Sequence, residues 1–309
     1  MTQQFYGNGK LLLTGEYSIL DGAVGLAIPT VFGQHMSVSE TKTPGLHWKS
    51  MTHENTCWID ITFHLTKNNG KAIISHPQNT EASPEETGLI KILTEAHRLN
   101  PSFLNESVGY SVTTTLTFPK HWGLGSSSTL IAMVAEWAKV NPYTLLQNTF
   151  TGSGYDIACA THNTPILFQL KEKQPNSTAV SFNPSFKHQL YFVYLNQKQN
   201  SREGIALYKN ATFNKRGLAD SLTTISTKAL AATSVTEFSN LIESHEQLLS
   251  NTLLLPTVKQ RLFPDFNGTL KSLGAWGGDF IMAISKENPT DYFKDKGYNT
   301  ILSYDDMAL

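Results

Sequence analysis

The stretch Pro119-Lys120-His121-Trp122-Gly123-Leu124-Gly125-Ser126-Ser127-Ser128 decides how this chain is read. An alternating apolar run of Val108, Tyr110, Val112, Leu116 and Phe118 precedes it and predicts a strand, and residues 129–140 after it predict a helix. A glycine-serine loop that opens a helix lets backbone N–H groups approach a ligand closely. The helix N-terminus adds unpaired donors at the positive end of its dipole. Such ends bind phosphate. The same residues also read as an ordinary strand-to-helix turn with serine caps.

Around this loop the composition sets bounds. A chain of 309 residues can form two domains or one large one, and 40% apolar with 16% charged residues describes a globular protein. A net charge of −1 without a dense Lys/Arg run argues against a nucleic-acid partner. Cys57 and Cys159 cannot build a disulfide framework, which points to a reducing, cytoplasmic setting. The start, Met-Thr-Gln-Gln-Phe-Tyr-Gly, lacks the charged-then-apolar build of a signal peptide. No apolar run reaches membrane-spanning length, because Glu136 interrupts the best candidate. The histidines are scattered without zinc-site spacing, and no Gly-x-Ser-x-Gly elbow is present. Trp48, Trp58 and Tyr191 read as core or as interface, so a homodimer stays open.

Patterning predicts strands over 10–13, 23–29, 33–40 and 57–63. A helix then begins with Ser83 as N-cap, Pro84 at the first position and Glu86 completing a capping box. Helices over 129–140 and 143–150 and a strand over 165–170 follow. The polar, turn-rich stretch 171–187 is the expected boundary, giving domains 1–180 and 181–309. The second domain reads as a strand at 189–195, helices at about 215–231, 235–252 and 256–273, a strand at 280–285, a short helix at 289–294 and a strand at 300–304. Strands framing helices in this order predict an α+β class.

Three glycine-rich clusters, at 7–15, 123–128 and 274–279, suggest several backbone segments converging on an anion. Neither standard nucleotide motif fits: GxxxxGK[ST] is absent, and Ser128 occupies the third glycine position of GxGxxG. Asp156, within Gly152-Ser-Gly-Tyr-Asp-Ile-Ala158, could take a proton from a substrate hydroxyl. A lysine nearby would keep it ionised and neutralise a transferring phosphoryl group, and Lys10 is the candidate. Helix capping by Asp156 and a solvent-facing Lys10 are the alternatives.

Taken together, the clusters resemble the GHMP small-molecule kinases, the family of galactokinase, homoserine kinase, mevalonate kinase and phosphomevalonate kinase. Pro119-x-x-x-Gly123-Leu-Gly-Ser-Ser-Ser128 is similar to the family's phosphate loop P-x-x-x-G-L-G-S-S-A, with Ser128 for the alanine. Gly9-Lys10-Leu-Leu-Leu-Thr-Gly15-Glu16-Tyr17 resembles the first motif, in the Glu-Tyr form of the phosphomevalonate kinase branch. Ser153-Gly154-Tyr155-Asp156-Ile157-Ala158 resembles the segment with the catalytic aspartate, and Gly274-Ala-Trp-Gly-Gly-Asp279 the third motif. The resemblance implies a two-domain GHMP kinase fold, ribosomal-protein-S5-domain-2-like in its N-terminal half and ferredoxin-like in its C-terminal half, with the active site in the cleft between. It implies MgATP as phosphoryl donor and a small alcohol or phosphate acceptor, on the mevalonate route, with no nucleic-acid or membrane partner. Carried onto this chain, Gly123, Leu124, Gly125, Ser126, Ser127 and Ser128 hold the nucleotide and Ser127 ligates magnesium. Lys10 and Asp156 are catalytic, and Glu16, Gly154, Trp276, Gly277 and Gly278 meet the substrate.

The chain departs from the pattern in three places. No acidic residue lies between Glu136 and Asp156, where many members place a magnesium-holding glutamate, and Gln147 is the nearest polar stand-in. Either Asp156 also serves the metal, or Glu136 reaches in, or magnesium binding is weak. Trp276 replaces a glycine of the third motif, and His162-Asn163-Thr164 replaces a Tyr-Gly-Gly. A sugar or amino-acid alcohol as acceptor, a non-catalytic nucleotide- or metabolite-binding protein, and a mevalonate-diphosphate decarboxylase are the competing readings.

Overall fold

The computed structural model describes residues 2–68, 71–75, 82–104, 108–197, 201–274, 276 and 278–309. Its strands are β1 (Thr2–Leu12), β2 (Gly25–Thr41), β3 (Gly45–Met51), β4 (Cys57–Asn68), β5 (Lys71–Ser75), β6 (Gly109–Leu116), β7 (Ile166–Lys171), β8 (Gln174–Ala179), β9 (Leu190–Tyr194), β10 (Thr269–Ser272), β11 (Phe280–Ile284) and β12 (Ile301–Ser303). Its longer helices are α1 (Pro84–Leu99), α2 (Ser126–Ala138), α3 (Pro142–Thr149), α4 (Tyr155–Thr161), α5 (Ser201–Asn210), α6 (Lys215–Ala231) and α7 (Val235–Leu253). They make two compact units, one of Met1–Gly9, Phe32–Lys120 and Gly125–Thr161, the other of Lys10–Val31, His121–Leu124 and His162–Leu309.

In the first unit the strand order is β5-β4-β3-β6-β2. β3 and β6 run parallel, and the other pairs in this order are antiparallel. β3 alternates, with Leu46, Trp48 and Ser50 turned inward. Trp48 is fully buried core. Leu89, Ile92, Leu93 and Ala96 of α1 share that core with Trp48, Phe63 and Val134. Helix α1 begins as the sequence predicts: Glu86 N donates to Ser83 Oγ, and Ser83 N donates to the Glu86 carboxylate.

The second unit takes Gly25–Ala27 of β2, paired with β7, and β7 paired with β8. It also holds a separate antiparallel sheet, β10-β11-β9-β12. Phe263, Phe266, Ile281 and Phe293 fill one core beside this sheet. Tyr17, Tyr208, Leu222, Leu249 and Trp276 fill another, where α6 packs on α7.

Several expectations need correction. Residues 256–273 are not one helix: Val258–Leu262 is a short helical stretch, and Thr269–Ser272 is strand β10. Pro264 cannot continue a helix, and all four β10 residues are buried against the sheet. The polar stretch 171–187 contains strand β8, reached through a turn in which Glu172 and Lys173 hold φ of 50° and 66°. The strands expected at 23–29 and 33–40 are one strand, β2. Gly33 lies inside it because a Cβ there would come within 2.4 Å of the Gly7 carbonyl oxygen. β3 and α5 had no counterpart in the reading of the sequence.

Candidate active site

The glycine loop takes its shape from left-handed residues. Gly123 and Gly125 hold φ of 70° and 96°. Lys10, on β1, is bound to this loop twice: its N–H donates to Leu124 O at 3.0 Å, and its Nζ donates to Gly123 O at 2.8 Å. Asp279 lies against the other side of Gly123, where an added Cβ would fall 2.4 Å from the carboxylate carbon. Asp279 is itself fixed at φ 56°, its N–H donating to Gln197 O at 2.7 Å and its carbonyl accepting from Leu195 N at 2.8 Å. Before the loop, the Trp122 ring packs edge-on to Phe280, and Tyr194 OH donates to His121 O. Gly123→Ala therefore meets both a backbone strain and a carboxylate. It is expected to lower stability by about 1–3 kcal/mol, read from urea midpoints. Adding Asp279→Ala should recover part of the loss, and no recovery would remove the carboxylate from the explanation.

Helix α2 starts on Gly125, which brings no capping side chain. Ser128 Oγ donates back to Gly125 O at 2.8 Å, and Thr129 Oγ1 donates to Gln34 Oε1 at 2.7 Å. Ser127 is exposed in the first turn, whose N–H groups lack intrahelical acceptors. α4 packs on α2. Gly154, at φ 91° beside the Tyr143 ring, leads into α4. Asp156 sits in the first turn of α4, where its Oδ1 accepts from Ile157 N at 3.1 Å.

The expected site residues thus fall in two groups. Lys10, Glu16, Gly123, Leu124, Trp276 and Gly278 belong to one unit; Gly125, Ser126, Ser127, Ser128, Gly154 and Asp156 belong to the other. Gly277 lies outside the described residues. Glu136 and Gln147 are both exposed. Among the described residues no three His, Cys, Asp or Glu side chains form a metal-holding group. The sequence resemblance assigns a magnesium ligand to Ser127, which stands on the first turn of α2.

Beneath the first glycine segment lies a cluster that sequence reasoning missed. Glu16 is 1% exposed, and Lys271, on β10, is not exposed at all. Lys271 Nζ lies 2.5 Å from Glu16 Oε1 and 3.2 Å from Glu246 Oε1, and donates to Ser272 O at 2.6 Å. His245 Nε2 accepts from Gly15 N at 2.8 Å and lies 3.2 Å from Glu16 Oε2. Burial pushes Glu16 up to about 7 against the pull of Lys271, and raises Glu246 as well. Two carboxyl groups hold Lys271 protonated despite its burial, whereas burial and the charge of Lys271 keep His245 neutral. Burial therefore favours the protonated form of both Glu16 and Glu246 beside the Lys271 ammonium. Glu16 Oε2, Glu246 Oε2 and His245 Nδ1 have no hydrogen-bond partner in this cluster.

A pH dependence follows. Because the folded value of Glu16 exceeds its ordinary 4.5, the stability it contributes is complete below 4.5 and is lost as pH rises through about 7. The groups facing it are Lys271, His245, Glu246 and Tyr17. Glu16→Gln is expected to flatten the decline in unfolding free energy across that window. An unchanged slope would mean that Glu16 does not titrate there.

No protein-family model and no curated sequence matches the chain. Solved structures do. Methanococcus jannaschii mevalonate kinase superposes with a TM-score of 0.69 at 15% identity, over 100% of this chain and 98% of its own. Streptococcus pneumoniae phosphomevalonate kinase, solved with phosphomevalonate and AMPPNP, gives 0.68 at 15% identity, over 97% and 99%. Lactococcus lactis galactokinase, complexed with galactose, gives 0.67 at 11% identity, over 98% and 93%. This chain has the GHMP kinase fold. On that fold, Glu246, Lys271 and His245 come from outside every motif, and no spacing signals them. Asp279 closes the third glycine cluster and so was within reach of the sequence. No helix among the described residues is long and apolar enough to cross a membrane.

Proposed function

We propose that the chain is an ATP-dependent small-molecule kinase that phosphorylates an alcohol or phosphate acceptor of the mevalonate or phosphomevalonate kind, in the cytoplasm. The observation that carries the reading is the Lys10 ammonium on the Gly123 carbonyl, 2.8 Å away, which puts a fixed cation on the glycine loop. The uncapped start of α2 and the full-length fold match support it. In this reading the loop from Gly123 to Ser128 binds the β- and γ-phosphates through backbone N–H groups. Lys10 offsets charge on the transferring phosphoryl group, and Asp156 accepts the proton of the acceptor hydroxyl. Bound magnesium would neutralise the phosphate oxygens. Catalysis then rests on positioning and on charge stabilisation.

Incubation with MgATP and each of mevalonate, mevalonate 5-phosphate, galactose and homoserine, followed by ADP release, tests this. Turnover with either mevalonate compound is the expected result, and turnover with galactose or homoserine alone would move the acceptor to that class. The exposed Glu136 favours, as a second reading, a nucleotide-binding protein without turnover. Tight nucleotide binding with no product from any acceptor would select it. Carbon dioxide release from a diphosphate acceptor would select a decarboxylase.

A further inference from the structure

Lysine is rarely buried without exposure, because taking its charge out of water is costly unless every donor is matched. Lys271 fills its three donors with Glu16, Glu246 and the Ser272 carbonyl. From there the contacts run on. Trp276 Nε1 donates to Glu246 Oε1 at 3.3 Å, and Trp276 N donates to Tyr17 OH at 3.0 Å. Tyr17 is the chain neighbour of Glu16, so Lys271, Glu246, Trp276, Tyr17 and Glu16 close a circuit. The circuit joins β10, α7, the turn at 15–17 and Trp276.

The turn is held in a shape that needs such support. Gly15 and Tyr17 have φ of 94° and 59°, and a non-glycine residue keeps a left-handed conformation only where its surroundings fix it. The Tyr17 ring stacks on Tyr208 at 5.6 Å and 18°, and Tyr208 OH donates to Asp21 at 2.7 Å. Trp276 is 8% exposed, its ring in the core with Tyr17, Leu222 and Leu249. Glu16 Oε1 and both N–H groups of Trp276 therefore have partners inside the protein.

We infer that Lys271 is a positioning residue, which through Glu16 and Glu246 fixes Trp276 relative to the 15–17 turn and so sets how the acceptor is held. This rests on the kinase reading above for its effect on turnover, and on the circuit alone for its effect on Trp276.

Lys271→Met alone strands two buried carboxyl groups and is at risk of not folding. The test therefore uses Glu16→Gln/Lys271→Met, which leaves Glu246, the acceptor of the Trp276 indole N–H, in place to lose its charge by protonation. Two readouts are taken against the full-length wild type. The first is KM for mevalonate 5-phosphate and for MgATP. The second is the indole N–H resonance of Trp276 in a tryptophan-labelled sample, assigned by its loss in Trp276→Phe. The expected result is a rise of at least about tenfold in KM for mevalonate 5-phosphate with KM for MgATP within about threefold, together with a displaced Trp276 resonance. A smaller folded fraction would lower kcat without that split in KM. An acceptor KM within about threefold of wild type overturns the inference. If the wild type phosphorylates none of the acceptors, the kinase reading fails separately, and the resonance decides: displaced, the circuit fixes Trp276; unmoved, the inference is overturned.

Discussion

Lys10→Met lowers turnover by at least about a hundredfold, nearly 3 kcal/mol of transition-state stabilisation, if its ammonium offsets charge on the transferring phosphoryl group. The side chain is held to the loop, with Nζ on the Gly123 carbonyl at 2.8 Å. The charge therefore needs little reorganisation when a phosphate arrives. Methionine keeps much of the length and the packing of the stem but brings no donor or charge, so the loop should stay folded while the chemistry slows. Steady-state ADP release measures this, with thermal melting as the control for folding. A loss under about threefold would leave Lys10 as a loop-holding residue without a part in the reaction.

Asp156→Asn is expected to cost about 10²- to 10⁴-fold in kcat, the usual range for a positioned general base, while nucleotide affinity changes little. The substitution keeps an oxygen able to accept from Ile157 N, the local contact seen at 3.1 Å, so α4 should start as before. Calorimetric titration with a non-hydrolysable ATP analogue separates binding from chemistry. Unchanged turnover would reduce Asp156 to a helix-starting residue, the alternative that its place in the first turn allows. The acid-base role also predicts that the surviving activity of the variant loses the lower limb of its pH profile, since no carboxylate remains to be protonated.

Local patterns made much of the fold legible. The capping box at Ser83, the strand before Pro119 and the helix after Ser128 are short-range signals, and each lies where expected. The failures come where distant partners decide. Residues 256–273 carry apolar positions at helical spacing, but Thr269–Ser272 pair with β11 instead, and the sheet outweighs a local preference. Lys271 reads as a surface lysine in any window of sequence, because its counter-charges stand 255 positions away at Glu16 and on α7 at Glu246. Glu16 is the converse. It was expected to touch substrate, as part of a motif, and Lys271, Glu246 and His245, which surround it with Tyr17, lie outside every motif. Trp276 likewise stood out as a bulky substitution for glycine, and only the fold reveals the room made for it by Tyr17, Leu222 and Leu249.

Cysteine placement gives the helix carrying Asp156 its own reporter. Neither cysteine is in a disulfide; Cys57 is exposed, and Cys159, three residues beyond Asp156 on α4, is fully buried. A thiol reagent should modify the folded protein quickly at one sulfur and reach the second at the rate at which α4 separates from its packing. The slow phase would time the opening of that helix without any engineered label, and its retardation by nucleotide would record stiffening there before any product forms.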